Sequence, residues 1–174
     1  IDNPREFLKK LLLFQFKIYT EICDVFSFDD SFKAVLIGYE KDKSKKFKQF
    51  ILNVVSLFKI MNVLGKENYK KYSENVKHCL EILDLKWQKK FVNGNYYHIN
   101  IIAIAPEERG KGVFRSLLMD VINYCNKENI PIILETSNFE HIPKYKHLGF
   151  ELVNTISQPD FDLAQYCFVK YPEK

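Results

Sequence analysis

Residues 96–112 read YYHINIIAIAPEERGKG, and the fold class follows from that stretch and what comes after it. The first ten residues become almost continuously apolar, the pattern of a central strand buried on both faces. PEERGKG is a loop. Beyond it, Val113, Leu117, Leu118, Val121, Ile122 and Cys125 recur at helical spacing, which predicts a helix over 113–127 with that set inward. Asn129 and Pro131 end this helix, and PIILET at 131–136 reads as a second buried strand. A short helix over 141–147 stops at Gly149, a residue suited to a C-terminal cap, and 150–156 and 164–171 are the final strands. This alternation of strands and helices predicts an α/β domain with a parallel pair inside a mixed sheet.

Upstream, residues 5–18 read as an amphipathic helix after an Asp2-Asn3-Pro4 start signal. Segments 21–28 and 32–39, separated by Asp29-Asp30-Ser31, predict an antiparallel hairpin. A lysine-rich run from Lys41 to Lys48 reads as a solvated helix entrance. A helix follows with a stripe from Phe47 to Met61, expected to be core or a cover over an acceptor cleft. Gly65 breaks it, a second helix runs over 68–86, and Asn93-Gly94-Asn95 is a turn. No repeat or domain boundary interrupts the chain, so 1–174 reads as one domain.

Composition narrows the function. At 174 residues, 47% hydrophobic and 28% charged, the chain is too apolar for disorder and long enough to bury a core. A net charge of +4 suits a protein handling an anionic ligand, while a nucleic-acid binder would concentrate more charge on one element. Cys23, Cys79, Cys125 and Cys167 form no Cys-x-x-Cys pair, which argues against a zinc site or a disulfide framework and for reduced thiols in a cytoplasm. No apolar run approaches the ~18 residues of a membrane span, and no secretory signal is read.

The strand, glycine-containing loop and helix make the informative unit. A helix N-terminus offers unpaired N–H groups and partial positive charge to a phosphate or pyrophosphate. Gly110 and Gly112 let the backbone approach, and Arg109, Lys111 and Arg115 add positive charge. The loop lacks the Gly-Lys-Ser/Thr ending of a P-loop and the Gly-x-Gly-x-x-Gly dinucleotide pattern.

The stretches IIAIAPEERGKGVFRSLL and PIILETSNFEHIPKYKHLGFELV closely resemble the GNAT N-acetyltransferases. That family's signature is Arg/Gln-x-x-Gly-x-Gly/Ala; Arg109 and Gly112 match it, and Phe114 departs from it. A later signature is matched by Asn138, Tyr145, Leu148, Gly149 and Phe150. The resemblance is strong over 96–156 and looser over 5–95, where two helices before the central strand resemble an uncharacterised branch.

The resemblance implies an α/β fold whose mixed sheet is mostly antiparallel with a central parallel pair, flanked by helices. It implies an acyltransferase that moves the acetyl group of acetyl-CoA to an amine by direct attack, with no metal. It implies that Ile102, Ala103 and Ile104 bind the pantetheine arm through their backbone. The pyrophosphate would lie on the backbone from Arg109 through Gly110, Lys111, Gly112 and Val113 to Phe114, beside Arg115. Asn138 would reach the pantetheine arm, and Tyr145 would stand near the sulfur as general acid. His98 and Glu135 are both candidates for the base. The amine acceptor is not named by the sequence, neither nucleic acid nor membrane is expected as a partner, and relatives are often homodimers. Relatives also carry a first strand and helix before the segment matching residues 2–20, so that strand is expected to be missing or divergent. The rival reading is a non-catalytic acyl-CoA-binding or regulatory module of the same fold, motivated by Phe114 and the expected missing first strand.

Overall fold

The computed structural model describes residues 4–158 and 161–173, so Asp2 and Asn3 of the start signal lie outside the described residues. In chain order its elements are α1 (Pro4–Ile22), β1 (Asp24–Ser27), β2 (Ala34–Glu40), α2 (Lys46–Ile82) and β3 (Tyr97–Ile104). They continue with α3 (Val113–Glu128), β4 (Ile132–Thr136), α4 (Ile142–His147), β5 (Glu151–Gln158) and β6 (Phe161–Lys170). The strands form one mixed sheet in the order β1-β2-β3-β4-β6-β5, with β3 and β4 its parallel pair.

Side chains alternate across this sheet because successive residues of a strand point to opposite faces. One face, with Leu36, Tyr97, Ile99, Ile132, Leu134 and Phe168, packs on α3. The α3 side chains beneath it are Val113, Leu117, Leu118, Val121, Ile122 and Cys125, the inward set that helical spacing predicts. Each large apolar side chain buried there contributes roughly 1.5–3 kcal/mol. The other face carries Ile133, Cys167 and Val169, packed with Trp87, Val92 and Tyr96.

The pairing between β3 and its neighbours is uneven, and this creates the site. On the β2 side, Gly38 pairs with Ile99 and Ile37 with Ile101, so Asn100 is an extra residue in β3, a bulge. On the β4 side, parallel pairing stops at Ile99 with Leu134. From there β3 continues to Ile104 against β2, while β4 continues to Thr136 against β6. The sheet opens into a fork between them.

Three regions differ from the sequence expectation. The helix α2 has non-helical geometry at Gly65 (φ 71°, ψ 164°), the expected break, but it ends at Ile82 rather than 86. Asp84 explains the early end: its carboxylate accepts the Lys86 N–H at 2.8 Å, a local turn that competes with the helix. The stripe on α2 is not buried core, since Phe47, Phe50 and Phe58 are exposed. The lysine run is not merely solvated. Lys41 donates to the Gly94 carbonyl, Lys43 to Tyr124 and Glu40, and Lys48 to Glu21.

Gly38 marks where β2 and β3 come closest. A Cβ there would lie 2.5 Å from Cε1 of Tyr97 and 2.7 Å from the His98 carbonyl oxygen. The latter is backbone and cannot swing aside. Gly38→Ala is therefore expected to destabilise the fold by about 1–3 kcal/mol through overpacking, read as a lower denaturation midpoint in urea.

Candidate active site

The glycine loop folds as its composition requires. Gly110 and Gly112 both have left-handed backbone (φ 78° and 79°), a conformation glycine adopts without steric cost. Gly112 is the N-cap of α3 and supplies no side-chain cap. The first helical bond is Ser116 N–H to the Gly112 carbonyl at 3.1 Å, so the N–H groups of Val113, Phe114 and Arg115 precede it. An added Cβ at Gly110 or Gly112 would meet nothing within 4 Å. The cradle is open.

This loop and the fork share one cavity of about 640 Å³, within the range of ~300–1,000 Å³ typical of small-molecule sites. Ile102 and Ile104 wall it from β3, Gly110, Gly112, Val113 and Phe114 from the loop and helix, and Asn138 and Tyr145 from the far side. Arg109 and Arg115 stand on its rim. The structure thus brings together ten of the residues that the resemblance singles out. Ala103 and Lys111 are not among its lining residues: Ala103 follows Ile102 and so turns to the other face. The Lys111 ammonium is paired with Glu108 at 3.2 Å.

Tyr145 lies at the inner end, 7% exposed, ringed by aromatic side chains. Its ring centroid is 5.8 Å from those of Phe114 and Phe150 and 5.3 Å from that of Phe168. Burial pushes its phenol up to about 12. Phe114, the departure from the family signature, turns inward to brace Tyr145 rather than outward over the loop. Asn138 is partly committed: its Oδ1 accepts the Glu140 N–H at 2.9 Å, and its Nδ2 lies 3.4 Å from His141 Nε2.

Sequence reasoning missed Glu108, Glu140, His141 and Lys144 in the cavity wall. Of these, His141 reaches deepest into the packing of the site. The ring is half-buried, its Nδ1 3.3 Å from Thr136 Oγ1 and its plane edge-on to Tyr145 at 6.3 Å. The signal was available in its i, i+4 spacing to Tyr145, which puts both on one side of the turn. His98 and Glu135, on adjacent strands, lie within hydrogen-bond distance of one another where the fork begins.

Residues 76–150 match the model of the family described as Acetyltransferase (GNAT) family. An uncharacterised N-acetyltransferase of Schizosaccharomyces pombe is 35% identical over 54 residues, which make up 31% of this chain and 22% of that protein. The match therefore spans only about a fifth of that relative's length. Among solved structures, histone acetyltransferase HPA2 and related acetyltransferase from Corynebacterium glutamicum is similar with a TM-score of 0.59 at 15% identity. That likeness is one of fold and covers 95% of this chain and 76% of that one.

Burial, then the nearby Lys144, holds the His141 imidazole below the ordinary histidine value, with Glu140 opposing. The unfolded chain thus binds this proton more readily than the folded one, so stability rises with pH across that interval. The contribution is full above the ordinary value of ~6.5 and is lost as pH falls through it toward the folded value. Stability measured by denaturant at stepped pH should drop more steeply toward acid in the parent than in His141→Gln.

Proposed function

We propose, from the membership of this chain in the GNAT superfamily of acetyltransferases, that it transfers the acetyl group of acetyl-CoA to an amine. The family implies acyl transfer from an acyl-CoA to an acceptor; the acetyl group and the amine are our finer reading. The observation that carries it is the single cavity joining the open edge of β3 to the uncapped N-terminus of α3.

The residues present fit such a ligand. Between Asn100 and Ile104 the β4 side of β3 is without a paired strand among the described residues, so backbone of Ile102, Ala103 and Ile104 would bond the amides of a pantetheine arm as a neighbouring strand does. The N–H groups from Gly110 to Arg115 would hold the pyrophosphate, with Arg109, Lys111 and Arg115 adding charge. Asn138 would offer its Nδ2, since its oxygen caps a turn. Acetyl-CoA supplies an acyl group activated as a thioester.

Tyr145 would face the sulfur. A phenol at about 12 stays protonated at neutral pH and so can donate. Full transfer to a thiolate of ordinary value ~8.5 is uphill by roughly 5 kcal/mol. Its role is therefore a hydrogen bond that strengthens as charge gathers on the leaving sulfur, the phenol keeping its own proton. Phe114 keeps the ring in place. The acceptor has its own cost: an alkylamine of pKa ~10 must shed a proton before attack, at about 4 kcal/mol near pH 7.

Calorimetric titration with acetyl-CoA tests this. The parent should bind in the micromolar range, and Gly112→Glu, which puts a carboxylate in the cradle, should lose at least ~10-fold in affinity. Tyr145→Phe should keep the affinity and lose ~10²-fold in turnover across a panel of primary amines. Binding without transfer to any amine would favour the non-catalytic module. Absence of binding would sink the reading.

A further inference from the structure

The turn that follows β4 holds a chain of hydrogen bonds whose donors and acceptors can be assigned one by one. Asn138 Oδ1 accepts the Glu140 N–H at 2.9 Å, which orients the side-chain amide and turns Nδ2 the other way. Nδ2 has hydrogens and no lone pair to offer, and it lies 3.4 Å from His141 Nε2. Nε2 must therefore be the bare, accepting nitrogen of the ring. The ring hydrogen is then on Nδ1, which lies 3.3 Å from Thr136 Oγ1 and donates to it. The same oxygen accepts the Asn138 backbone N–H at 3.2 Å.

The position of this chain matters. Asn138 and His141 both line the cavity, and Thr136, which joins them, is the last residue of β4. The His141 backbone N–H donates to the Asn138 carbonyl at 3.1 Å and closes the turn. Asn138 Nδ2 has two hydrogens. One points to the His141 ring, which leaves the other to the cavity. The ring therefore sets the direction of that second hydrogen.

We propose, resting on the acyl-CoA reading above, that His141 is a positioning residue that latches Asn138 toward the pantetheine arm while its ring is neutral and releases it when the ring is protonated. An imidazolium carries a hydrogen on each nitrogen. Its Nε2–H would face the Asn138 amide group donor against donor, with no lone pair between them. Asn138 then has two ways out. It swings away from the ring, or it flips its amide and gives up the Glu140 N–H. Either movement displaces the N–H that meets the ligand, so affinity for the acyl donor is tied to the charge of one ring.

The surroundings single out this ring as the group that changes charge. Glu140 flanks it in the turn, Lys144 and Tyr145 follow on α4, and Tyr166 of β6 pairs beside Thr136. Glu108, Arg109 and Arg115 line the same cavity from the loop and α3. Of the side-chain types gathered here, only imidazole ordinarily changes charge between about pH 5 and 8. Tyr145, edge-on to the ring, keeps its proton throughout that interval. Burial, with Lys144 next and Glu140 opposing, favours the neutral ring, which is the latched form.

The test uses the full chain and S-acetylpantetheine, the acyl-bearing arm without its phosphates. The probe has no charge, so direct attraction to an imidazolium does not enter. Nitrogen-15 spectra of the unliganded protein at about pH 7.5, with His141 assigned by its loss in His141→Gln, should show the ring proton on Nδ1. Titration of the probe, followed by amide shifts, should give an affinity that falls ~3–10-fold in the parent from about pH 7.5 to about 5.5. His141→Gln, whose amide oxygen remains an acceptor at both pH values, should show no such fall. Asn138→Ala should bind more weakly than the parent near neutral pH and lose the dependence on pH, a readout that loss of packing alone would not give. A ring proton on Nε2 in the parent overturns the proposal. So does a parental affinity that is level or rises toward acid, or a fall that persists undiminished in His141→Gln. Failure of the parent to bind acetyl-CoA overturns the acyl-transfer reading instead, and the ring spectra still decide the latch.

Discussion

Asn100 has no counterpart on β2, and that extra residue governs the centre of the molecule. A bulge bends its strand and sharpens the local twist. Here β3 leaves β4 after three paired residues and stays with β2 for the rest of its length. Had the ladder continued, the space between Ile102 and Asn138 would be filled by hydrogen bonds. The cavity and the free strand edge both follow from pairing that stops early.

The bulge in turn depends on close approach. Gly38 sits against Ile99, where a side chain would run into the His98 carbonyl. Two positions back along β3, Tyr97 lies against the same glycine, its hydroxyl 3.1 Å from Asp24. A second anchor is Glu40, buried at the end of β2. Burial alone would raise its carboxyl, but bonds from Lys43, Tyr124 and Asn95 outweigh this and hold it below the usual value. These contacts tie β2, the turn before β3, and α3 together, so the rigid side of the fork is fixed through side chains distant from the cavity.

Much of this was legible in the chain itself. The apolar spacing from Val113 to Cys125 named every buried residue of α3, and the order of strands and helices named the parallel pair. Gly110 and Gly112 announced a loop before a helix whose backbone a ligand could approach. The bulge was not legible, because IIAIA is apolar throughout and a continuous run carries no register signal. Nor was the α2 stripe: helical periodicity shows which residues share a face, not what covers it. Residues 47, 50 and 58 share a face that remains exposed. His141 and Lys144 enter the cavity through the turn that Asn138 caps, a tertiary placement that spacing alone hints at without deciding. The inward turn of Phe114 likewise required knowing where Tyr145 stands.

An unpaired strand edge is ordinarily a hazard, since it can template the addition of strands from other molecules. Proteins usually blunt such edges with charge, proline or a covering helix. In this chain the open edge of β3 carries Ile101 and Ile102 and none of those devices. It is instead turned inward, with the turn at Asn138 and α4 as the opposite wall and the loop before α3 across its mouth. A stretch of foreign sheet needs room for its own neighbours and side chains on both faces, and it is shut out by this geometry. A single thin chain is admitted. The same fork that leaves the backbone free to bond thus protects the protein from polymerising through it.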